Sequence, residues 1–404
     1  MTSSHVHLSS SLSVISNNVD ILVLILWRLP VKSLFVFKSV SKRWYSLISD
    51  PIFIKGHFLE ISSRSFLGQF LHNRLSGPDT PEFEFVSLNE SVPRPLHFLA
   101  CINDPLGIRI NQSCNGLLCC SSYRGTYADP YYICNPYTRQ YRPLFCGSRG
   151  DEHGFISLCS VSLAFDVLKS PHYKVVCIWL LKKVTESDVE FYHQIEIYTS
   201  ETTSWKLLGN IFPAHDIFHK TGVFWRGSLH WFDPSRQANS FYFNVDLELL
   251  MGMPKLPPRY DNDEMLFKYF GECRGHLHLI QVHASRTSFE ILEMMTDYQG
   301  WNTRYVVNVS ELMNAYPEIT QGVSIQFQHL AFSVLLVQDE KTKSLTDIQR
   351  AKGTDSLILV LQILDEVVYY DLEEMRVKKI VRLAPTTYSR RRDAFQYIET
   401  LACV

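Results

Sequence analysis

The sequence lacks an excess of charge of either sign. Its 404 residues contain 39 lysines and arginines against 41 aspartates and glutamates, which gives a formal net charge of -2. Proteins that bind nucleic acid or anionic membranes usually carry a basic excess or a basic patch. We therefore expect neither a nucleic-acid partner nor a membrane partner.

Long apolar runs are also missing. The run Ile21–Trp27 is far shorter than the about 20 apolar residues that a membrane span requires. No basic stretch precedes this run, and Asp20 lies at its edge, so the run does not have the pattern of a secretory signal. We expect an intracellular protein, cytoplasmic or nuclear, that is not secreted.

The 10 cysteines include no Cys-x-x-Cys pair. They lie singly in apolar runs, apart from Cys119 and Cys120, whose side chains should point to opposite faces of a strand. Free and mostly buried thiols in a reducing compartment fit this pattern. Without paired ligands no zinc site is expected, and no other metal or cofactor is indicated.

The usual catalytic motifs are absent too. The sequence has no Gly-x-Ser-x-Gly, no glycine-rich phosphate loop and no dinucleotide fingerprint. His215 and His219 are four residues apart, but Pro213 argues against a helix that would pair them as ligands. His276 and His278 should share one face of a strand, and we interpret them as half-buried strand residues. We therefore expect a protein without catalytic residues.

The stretch Asn17–Glu60 predicts three short helices. Asp20 is a suitable N-cap for the first helix, and Pro30 ends it. Its inward face should consist of apolar residues at helical spacing: Leu22, Ile25, Leu26 and Leu29. In the second helix the inward residues should be Leu34, Phe37 and Val40. Ser41 should cap the third helix, and its inward residues should be Trp44, Leu47 and Ile48.

Residues Ser49-Asp50-Pro51 should stop the third helix. The first helix also carries apolar residues off its inward face: Ile21, Val23, Leu24 and Trp27. A helix that is apolar nearly all round is either buried or binds a partner. One interpretation is a helical cap packed on the rest of the chain, and the other is a partner-binding unit.

From about residue 61 the pattern changes to short β-type runs separated by turn residues. Arg226–His230 recurs as Arg274–His278, and Asn115–Leu118 is a weaker copy. The glycine in each copy should supply a positive-φ turn residue that opens a strand.

A second unit also recurs, an apolar strand followed by a polar turn and another strand. Its copies begin at residues 131, 195, 241, 291 and 367. A period of 40–50 residues is typical of propeller blades, so roughly 300 residues give about six blades. The polar segment Gln338–Thr354 reads as a loop insertion, and a jelly roll or two-sheet sandwich remains an alternative.

Two runs in the helical segment, Arg28–Leu34 and Val40–Phe53, resemble the F-box of plant F-box proteins. Asn17-Asn18 stands where that family usually has Leu-Pro, and Leu24 stands where it often has an acidic residue. The resemblance implies a substrate receptor of an SCF-type (cullin-RING) ubiquitin ligase that docks on a Skp-family adaptor and, through it, on cullin. The adaptor contacts that it implies are Ile21, Leu24, Ile25, Leu29, Pro30, Leu34 and Trp44.

The later part of the chain, roughly residues 100–385, resembles the F-box-associated domain, with kelch-like units. Four segments carry this resemblance: Ser113–Leu118, Ile133–Thr138, Leu163–Asp166 and Tyr173–Val176. The resemblance implies a propeller-like interaction domain that holds a protein substrate of unknown identity on an unknown surface.

We therefore expect a small all-α N-terminal three-helix F-box followed by a large all-β domain that is propeller-like. The expected segments are a flexible N-terminus at 1–16, the F-box at 17–60, a connecting segment with the first strands at 61–100, and the F-box-associated β domain at 101–404. Two alternatives stay open. One is an F-box-derived scaffold that no longer binds the adaptor, and the other is a propeller-type sugar-binding protein or enzyme.

Overall fold

The computed structural model describes residues 19–62, 68–73, 83–87, 99, 102–123, 129–146, 155–184, 188–214, 221–234, 240–257, 265–283, 288–317, 332–339, 357–383 and 392–404. Several sequence predictions lie outside these ranges. They concern the flexible segment 1–16, Asn17-Asn18, the pair His215 and His219, and residues 340–354 of the predicted loop.

The N-terminal segment forms four helices: α1 (Val19–Trp27), α2 (Val31–Lys38), α3 (Lys42–Ser49) and α4 (Pro51–Ser62). Ser41 caps α3 as predicted, since its Oγ accepts a hydrogen bond from the amide of Trp44 at 3.2 Å. Asp20 lies inside the first turn of α1 rather than before it. A carboxylate there is still favoured by the helix dipole.

The sequence predicted three helices, whereas the structure has four in this segment. Asp50 ends α3 and also begins α4, because its Oδ1 accepts a hydrogen bond from the amide of Ile52 at 2.7 Å. Pro51 then occupies the first helical position, where its missing N–H costs nothing. The same three residues therefore act as a stop signal and a start signal.

The helices enclose a small core that contains Leu22, Leu26 and Ile48. Two residues predicted to face inward do not. Val40 is 61% exposed because α2 already ends at Lys38, which leaves Val40 in the following turn. Ile25 is 44% exposed, and the buried residues of α1 are Leu22 and Leu26.

After α4 the described chain consists mainly of β-strands joined by turns. β1 (Gly68–Asn73) and β2 (Phe83–Ser87) come first. Blade 1 contains β3 (Ile108–Cys114), β4 (Leu117–Ser122), β5 (Tyr131–Asn135) and β6 (Gln140–Leu144). Blade 2 contains β7 (Phe155–Ala164), β8 (Lys174–Val184), β9 (Val189–Thr199) and β10 (Ser204–Pro213).

Three further blades complete the series. Blade 3 contains β11 (Val223–Trp225), β12 (Ser228–Trp231), β13 (Phe241–Asn244) and β14 (Leu249–Gly252). Blade 4 contains β15 (Met265–Cys273), β16 (His276–His283), β17 (Ser288–Met294) and β18 (Trp301–Asn308), followed by a short helix, α5 (Ser310–Ala315). Blade 5 contains β19 (Ser333–Asp339), β20 (Leu357–Ile363), β21 (Glu366–Asp371) and β22 (Arg376–Arg382).

The last strand, β23 (Arg392–Tyr397), pairs with β1, and β1 pairs with β2, so these three strands form blade 6. The innermost strands contact one another in a closed ring, in the order β3, β7, β11, β15, β19 and β23. The chain is thus a six-bladed propeller, and the sandwich alternative is wrong. One strand from the end of the chain closes the ring with two strands from its beginning.

The predicted glycine turns are confirmed as hairpin turns between the first two strands of a blade. Both residues of Asn115-Gly116, Arg226-Gly227 and Arg274-Gly275 have positive φ, between 46° and 88°. Two successive positive φ angles define a type I′ turn, whose twist matches that of the strands. Glycine at the second position adopts this conformation without steric cost.

The second recurring unit is the hairpin between the third and fourth strands of blades 1 to 5. In each hairpin one turn residue has positive φ: Arg139, Thr203, Glu248, Tyr298 and Met375. These turns lie at the same end of the blades as the type I′ turns because neighbouring strands are antiparallel. We call this end of the propeller the turn face and the other end the opposite face.

Candidate partner-binding surfaces

Helix α1 exposes one apolar face. Leu24 is 53% exposed, and Val19, Ile21 and Ile25 are exposed to a similar degree. Spacings of three and four residues place such side chains on one side of a helix. An exposed apolar surface of this kind on a small helical unit is typical of a protein-binding site.

The other predicted contact residues differ in their accessibility. Pro30 is exposed, whereas Leu29 and Trp44 are half-buried, and the Trp44 ring meets the Phe37 ring edge to face at 5.3 Å. Leu34 has 0% exposure and lies in the core. Leu34 therefore offers no contact surface in this conformation, and its assignment to the adaptor contact is corrected to a core role.

Sequence reasoning missed a second group of exposed apolar side chains, on and after α2. Val36 and Tyr45 are exposed, as is Val40, which was predicted to be inward. A signal was available in the four consecutive apolar residues from Leu34 to Phe37. Four successive residues cannot all lie on one face of a helix, so at least one had to face outward.

Helix α4 packs against α1 and the residues that follow it. The indole Nε1 of Trp27 donates a hydrogen bond to the carbonyl of Phe53 at 3.1 Å. The same ring lies so close to Gly56 that a β-carbon there would overlap it. The Nε2 of His57 lies 3.0 Å from the carbonyl of Leu29, and burial lowers the pKa of this imidazole. The exposed face of α1 thus rests on a fixed support.

The helical unit packs on the turn face of the propeller beside blade 1. The rings of Phe35 and Tyr137 lie 6.0 Å apart. Lys38 extends over the Phe35 ring, and burial lowers the pKa of its ammonium group. Leu401 and Ala402, which follow β23, belong to the same buried cluster as the helix core. The opposite face of the propeller lies away from this contact.

A channel of about 830 Å³ runs between the innermost strands. Four of these strands carry β-bulges, and one bulged residue of each strand lines the channel: Asn111, Cys159, Lys268 and Leu335. Bulges re-aim side chains and are common next to binding sites. The volume is within the range of small-ligand pockets, so the channel mouth on the opposite face is a candidate substrate contact.

Gln112, in blade 1, forms hydrogen bonds to blade 2 and to the segment before blade 3, beside this channel. Its Nε2 donates to the carbonyls of Leu163 in blade 2 and Gly222 before blade 3, at 3.0 and 3.1 Å. Its Oε1 accepts from the amide of Leu163 at 2.6 Å. A buried amide whose hydrogen bonds are satisfied in this way specifies how the blades are arranged.

The two strand histidines share one face, as predicted. Nδ1 of His276 lies 2.9 Å from Glu293 Oε1, and Nε2 of His278 lies 3.6 Å from Glu293 Oε2. The neighbouring His278 lowers the pKa of Glu293, and the nearby His276 and Arg304 act in the same direction. His278 is buried rather than half-buried. Among the described residues, no group of three or more histidine, cysteine or acidic side chains is placed to hold a metal ion.

The cysteines follow their predicted pattern where the structure describes them. All nine described cysteines are free, and all except Cys403 are buried. Cys119 and Cys120 belong to two different buried clusters, as expected for opposite faces of a strand. No helix in the described ranges is both long enough and apolar enough to cross a membrane.

Comparison with known proteins identifies both parts of the chain. The model of the F-box domain matches residues 18–56, and that of the F-box associated beta propeller domain matches residues 86–401. The chain is 32% identical to an F-box protein of Arabidopsis thaliana, over 98% of this chain and 94% of that protein. It is 26% identical to an F-box/kelch-repeat protein of the same plant, over 57% of this chain and 58% of that protein. A chain of a solved nidogen/laminin complex has a TM-score of 0.37 at 12% identity, covering 82% of this chain and 100% of that chain.

Proposed function

The chain belongs to the F-box proteins that carry an F-box-associated β-propeller, and we propose that it is the substrate-recognition subunit of an SCF-type (cullin-RING) ubiquitin ligase. In this proposal the helices bind a Skp-family adaptor, and through it cullin, while the propeller binds a protein substrate. Residues 17–60 are the adaptor-binding unit, and the β domain, including residues 101–404, is the substrate-binding unit. The protein acts inside the cell, in the cytoplasm or the nucleus.

The observation that carries this proposal is the exposed apolar face of α1, with Ile21, Leu24 and Ile25 at its centre. Pro30 is also exposed, and Leu29 and Trp44 are half-buried, so we assign these three residues to the same contact. Aliphatic and aromatic side chains on a rigid support lose little conformational entropy on binding, which favours affinity. The adaptor contact therefore consists of these six residues, with Leu34 supporting them from the core.

F-box homologues are typically non-catalytic adaptors, and we assign the same role to this chain. Ubiquitin transfer belongs to other subunits, and this chain supplies proximity between them and the substrate. The helical unit occupies part of the turn face beside blade 1, where Phe35 meets Tyr137. The opposite face, with the channel mouth, is accordingly the surface that we assign to the protein substrate.

The test uses two leucines of equal exposure on different helices. Leu24 is 53% exposed on α1, and Leu59 is 52% exposed on α4. We expect Leu24→Asp to abolish co-purification with a Skp-family adaptor, because it buries a charge at the centre of the contact. Leu59→Asp should bind like the wild type. Equal binding by the wild type and the Leu24→Asp protein, with both folded, would contradict the assignment.

In a second candidate function the chain has the same fold but is not part of a ubiquitin ligase. Asn17-Asn18 in place of the family's Leu-Pro favours a scaffold whose F-box no longer binds the adaptor. The same pull-down separates the two functions, since a scaffold would show no co-purification even with the wild-type chain.

A further inference from the structure

The segment after β23 runs back over blade 1. Thr400, Leu401 and Ala402 are buried. The type I′ turn of blade 1 has no room for a side chain at Gly116, because the carbonyl of Ile398 and the side chain of Thr400 lie against it. We call residues 398–404 the tail. The tail is a packed part of the propeller surface at this point.

One side chain holds the tail in place. Asn135, at the end of β5, is 1% exposed, and its Nδ2 donates to the carbonyls of Thr400 and Ala402 at 3.0 and 2.8 Å. Its Oδ1 accepts from the amides of Tyr137 and Thr138 at 3.0 and 3.3 Å. Asn135 therefore fixes the tail with one end of its amide and the turn with the other.

Both structures that Asn135 fixes meet the helical unit. Tyr137, in the turn, contacts the Phe35 ring of α2. In the tail, Leu401 and Ala402 lie in the buried cluster that includes Leu26 of α1. The amide of Asn135 is thus hydrogen-bonded to both the tail and the turn.

The equivalent turns of other blades show that the turn itself does not need the Nδ2 group. Asn244 in blade 3 accepts from the amides of Asp246 and Leu247 at 3.1 and 2.8 Å. Asp371 in blade 5 accepts from two turn amides in the same way, at 2.8 Å each, and has no amide nitrogen. The two donor bonds of Asn135 are therefore additional to its role in the turn.

We infer that Asn135 is a positioning residue, which fixes the orientation of the helical unit on the propeller through the tail and the turn. Its consequence for ubiquitin transfer rests on the proposed function. If the helices bind the adaptor and the propeller binds the substrate, this amide sets the direction in which the substrate is presented. Its contribution to orientation is independent of that function.

Asn135→Asp tests the inference in the full chain. Aspartate keeps the turn acceptor, as Asp371 does, and removes both donor bonds to the tail. Asn244→Asp is the matched control, because it makes the same change in an equivalent turn that does not hold the tail. Hydrogen exchange of peptides from the tail and α2 should become faster by roughly tenfold or more in Asn135→Asp, as expected from the loss of two hydrogen bonds. Peptides from blades 3 to 5 should be unchanged, and the control should match the wild type.

A second readout reports orientation rather than stability. In a ligase reconstituted with the adaptor, cullin and ubiquitin-conjugating enzyme, the chain's own propeller lysines serve as acceptors, and mass spectrometry identifies those modified. We expect a restricted set for the wild type and the Asn244→Asp control, and a broader set for Asn135→Asp with adaptor affinity unchanged. If the wild type does not bind the adaptor, the proposed function fails, whereas the exchange experiment still decides the positioning role.

Leu401→Ser provides an independent variant in case Asn135→Asp does not fold. It weakens the packing of the tail and leaves the turn of blade 1 intact. It should accelerate exchange in the tail and α2 in the same way. The inference would be overturned if a variant that folds showed the same rate of hydrogen exchange in α2 as the wild type.

Discussion

Phe70 and Phe395 lie opposite each other in the antiparallel pairing of β1 and β23. The ring of Phe70 also meets that of Tyr397 at 5.3 Å. This pairing joins the first strand of the propeller to the last, and β23 is the innermost strand of its blade. Closure of this kind removes sheet edges that would otherwise remain exposed.

Deletion of residues 392–404 should make the protein insoluble. The deletion removes the innermost strand of blade 6 and exposes the apolar faces of blades 1 and 5, which cannot be stable without their neighbours. Deletion of residues 1–60 is the comparison, and it should leave a soluble, folded β domain that no longer binds the adaptor. Soluble expression and circular dichroism melting of both fragments measure the outcome. A 1–391 fragment that is soluble and melts cooperatively like the full chain would contradict this role of β23.

The sequence predicted local features of the propeller better than distant ones. The pair Arg226-Gly227 and its copy Arg274-Gly275 were correctly interpreted as turns because turn conformation depends on the residues themselves. A propeller of about six blades was also expected. The pairing of β23 with β1 was not, because it joins distant segments and no local pattern encodes such a partner.

The helical unit shows the same limit. Ser41 was correctly identified as a cap. Asp50 was predicted only to stop α3, whereas it also begins α4. Leu34 and Ile25 have similar apolar character, yet one is buried and the other exposed. Helical spacing indicates an apolar stripe, but the neighbouring helix decides which part of the stripe is covered. The role of Asn135 could not be predicted, since it depends on the tail lying over blade 1.

Gly56→Ala should destabilise the helical unit by about 1–3 kcal/mol, as overpacking generally does. The added methyl group would overlap the indole of Trp27, which is held by its hydrogen bond to Phe53. Gly209→Ala is a suitable control because no atom lies near its added methyl group. Denaturant unfolding of the two variants measures the difference. Equal stability of both variants would mean that Trp27 moves aside without cost.

Gln112→Leu should destabilise the propeller more than an exposed glutamine change does. It leaves the amide of Leu163 and two carbonyls without their partner, and each buried group left unsatisfied costs about 1–3 kcal/mol. Gln299→Leu, at an exposed position, should change stability by less than about 0.5 kcal/mol. Thermal unfolding of both variants provides the comparison. A melting temperature unchanged by Gln112→Leu would show that Gln112 does not hold the blades together.

Replacing Asn17-Asn18 by Leu-Pro should tighten the adaptor complex. The change restores the family's apolar pair at the two positions that precede α1 in the sequence, and a well-packed interface contact of this kind contributes on the order of 1–2 kcal/mol. Calorimetric titration of both forms with a Skp-family adaptor measures the gain. An unchanged or weaker affinity would indicate that this chain makes a different contact at these positions.

The docking of the tail should weaken as pH rises, because the carboxyl group of Glu399 is half-buried in the folded protein. Burial raises the pKa of Glu399 from its ordinary 4.5 to about 7, and the groups that face it are the hydroxyls of Tyr137 and Tyr397. Burial raises the pKa of both tyrosines as well, so they stay neutral over this range.

The native state thus keeps a proton on Glu399 that the unfolded state loses above about pH 4.5. A group whose pKa is raised on folding costs stability as pH rises from its unfolded to its folded pKa. Its contribution is therefore most favourable below pH 4.5, declines up to about pH 7, and is constant above that.

Glu399→Gln removes this titration while keeping the shape of the side chain. We expect the variant to be about as stable as the wild type at pH 4.5 and increasingly more stable up to pH 7, as measured by denaturant unfolding at several pH values. The difference between the two proteins isolates Glu399, because all other titrating groups are common to both. A difference that does not change with pH would show that Glu399 is ionised and solvated in the folded protein. The tail would then dock on blade 1 without burying a carboxyl group.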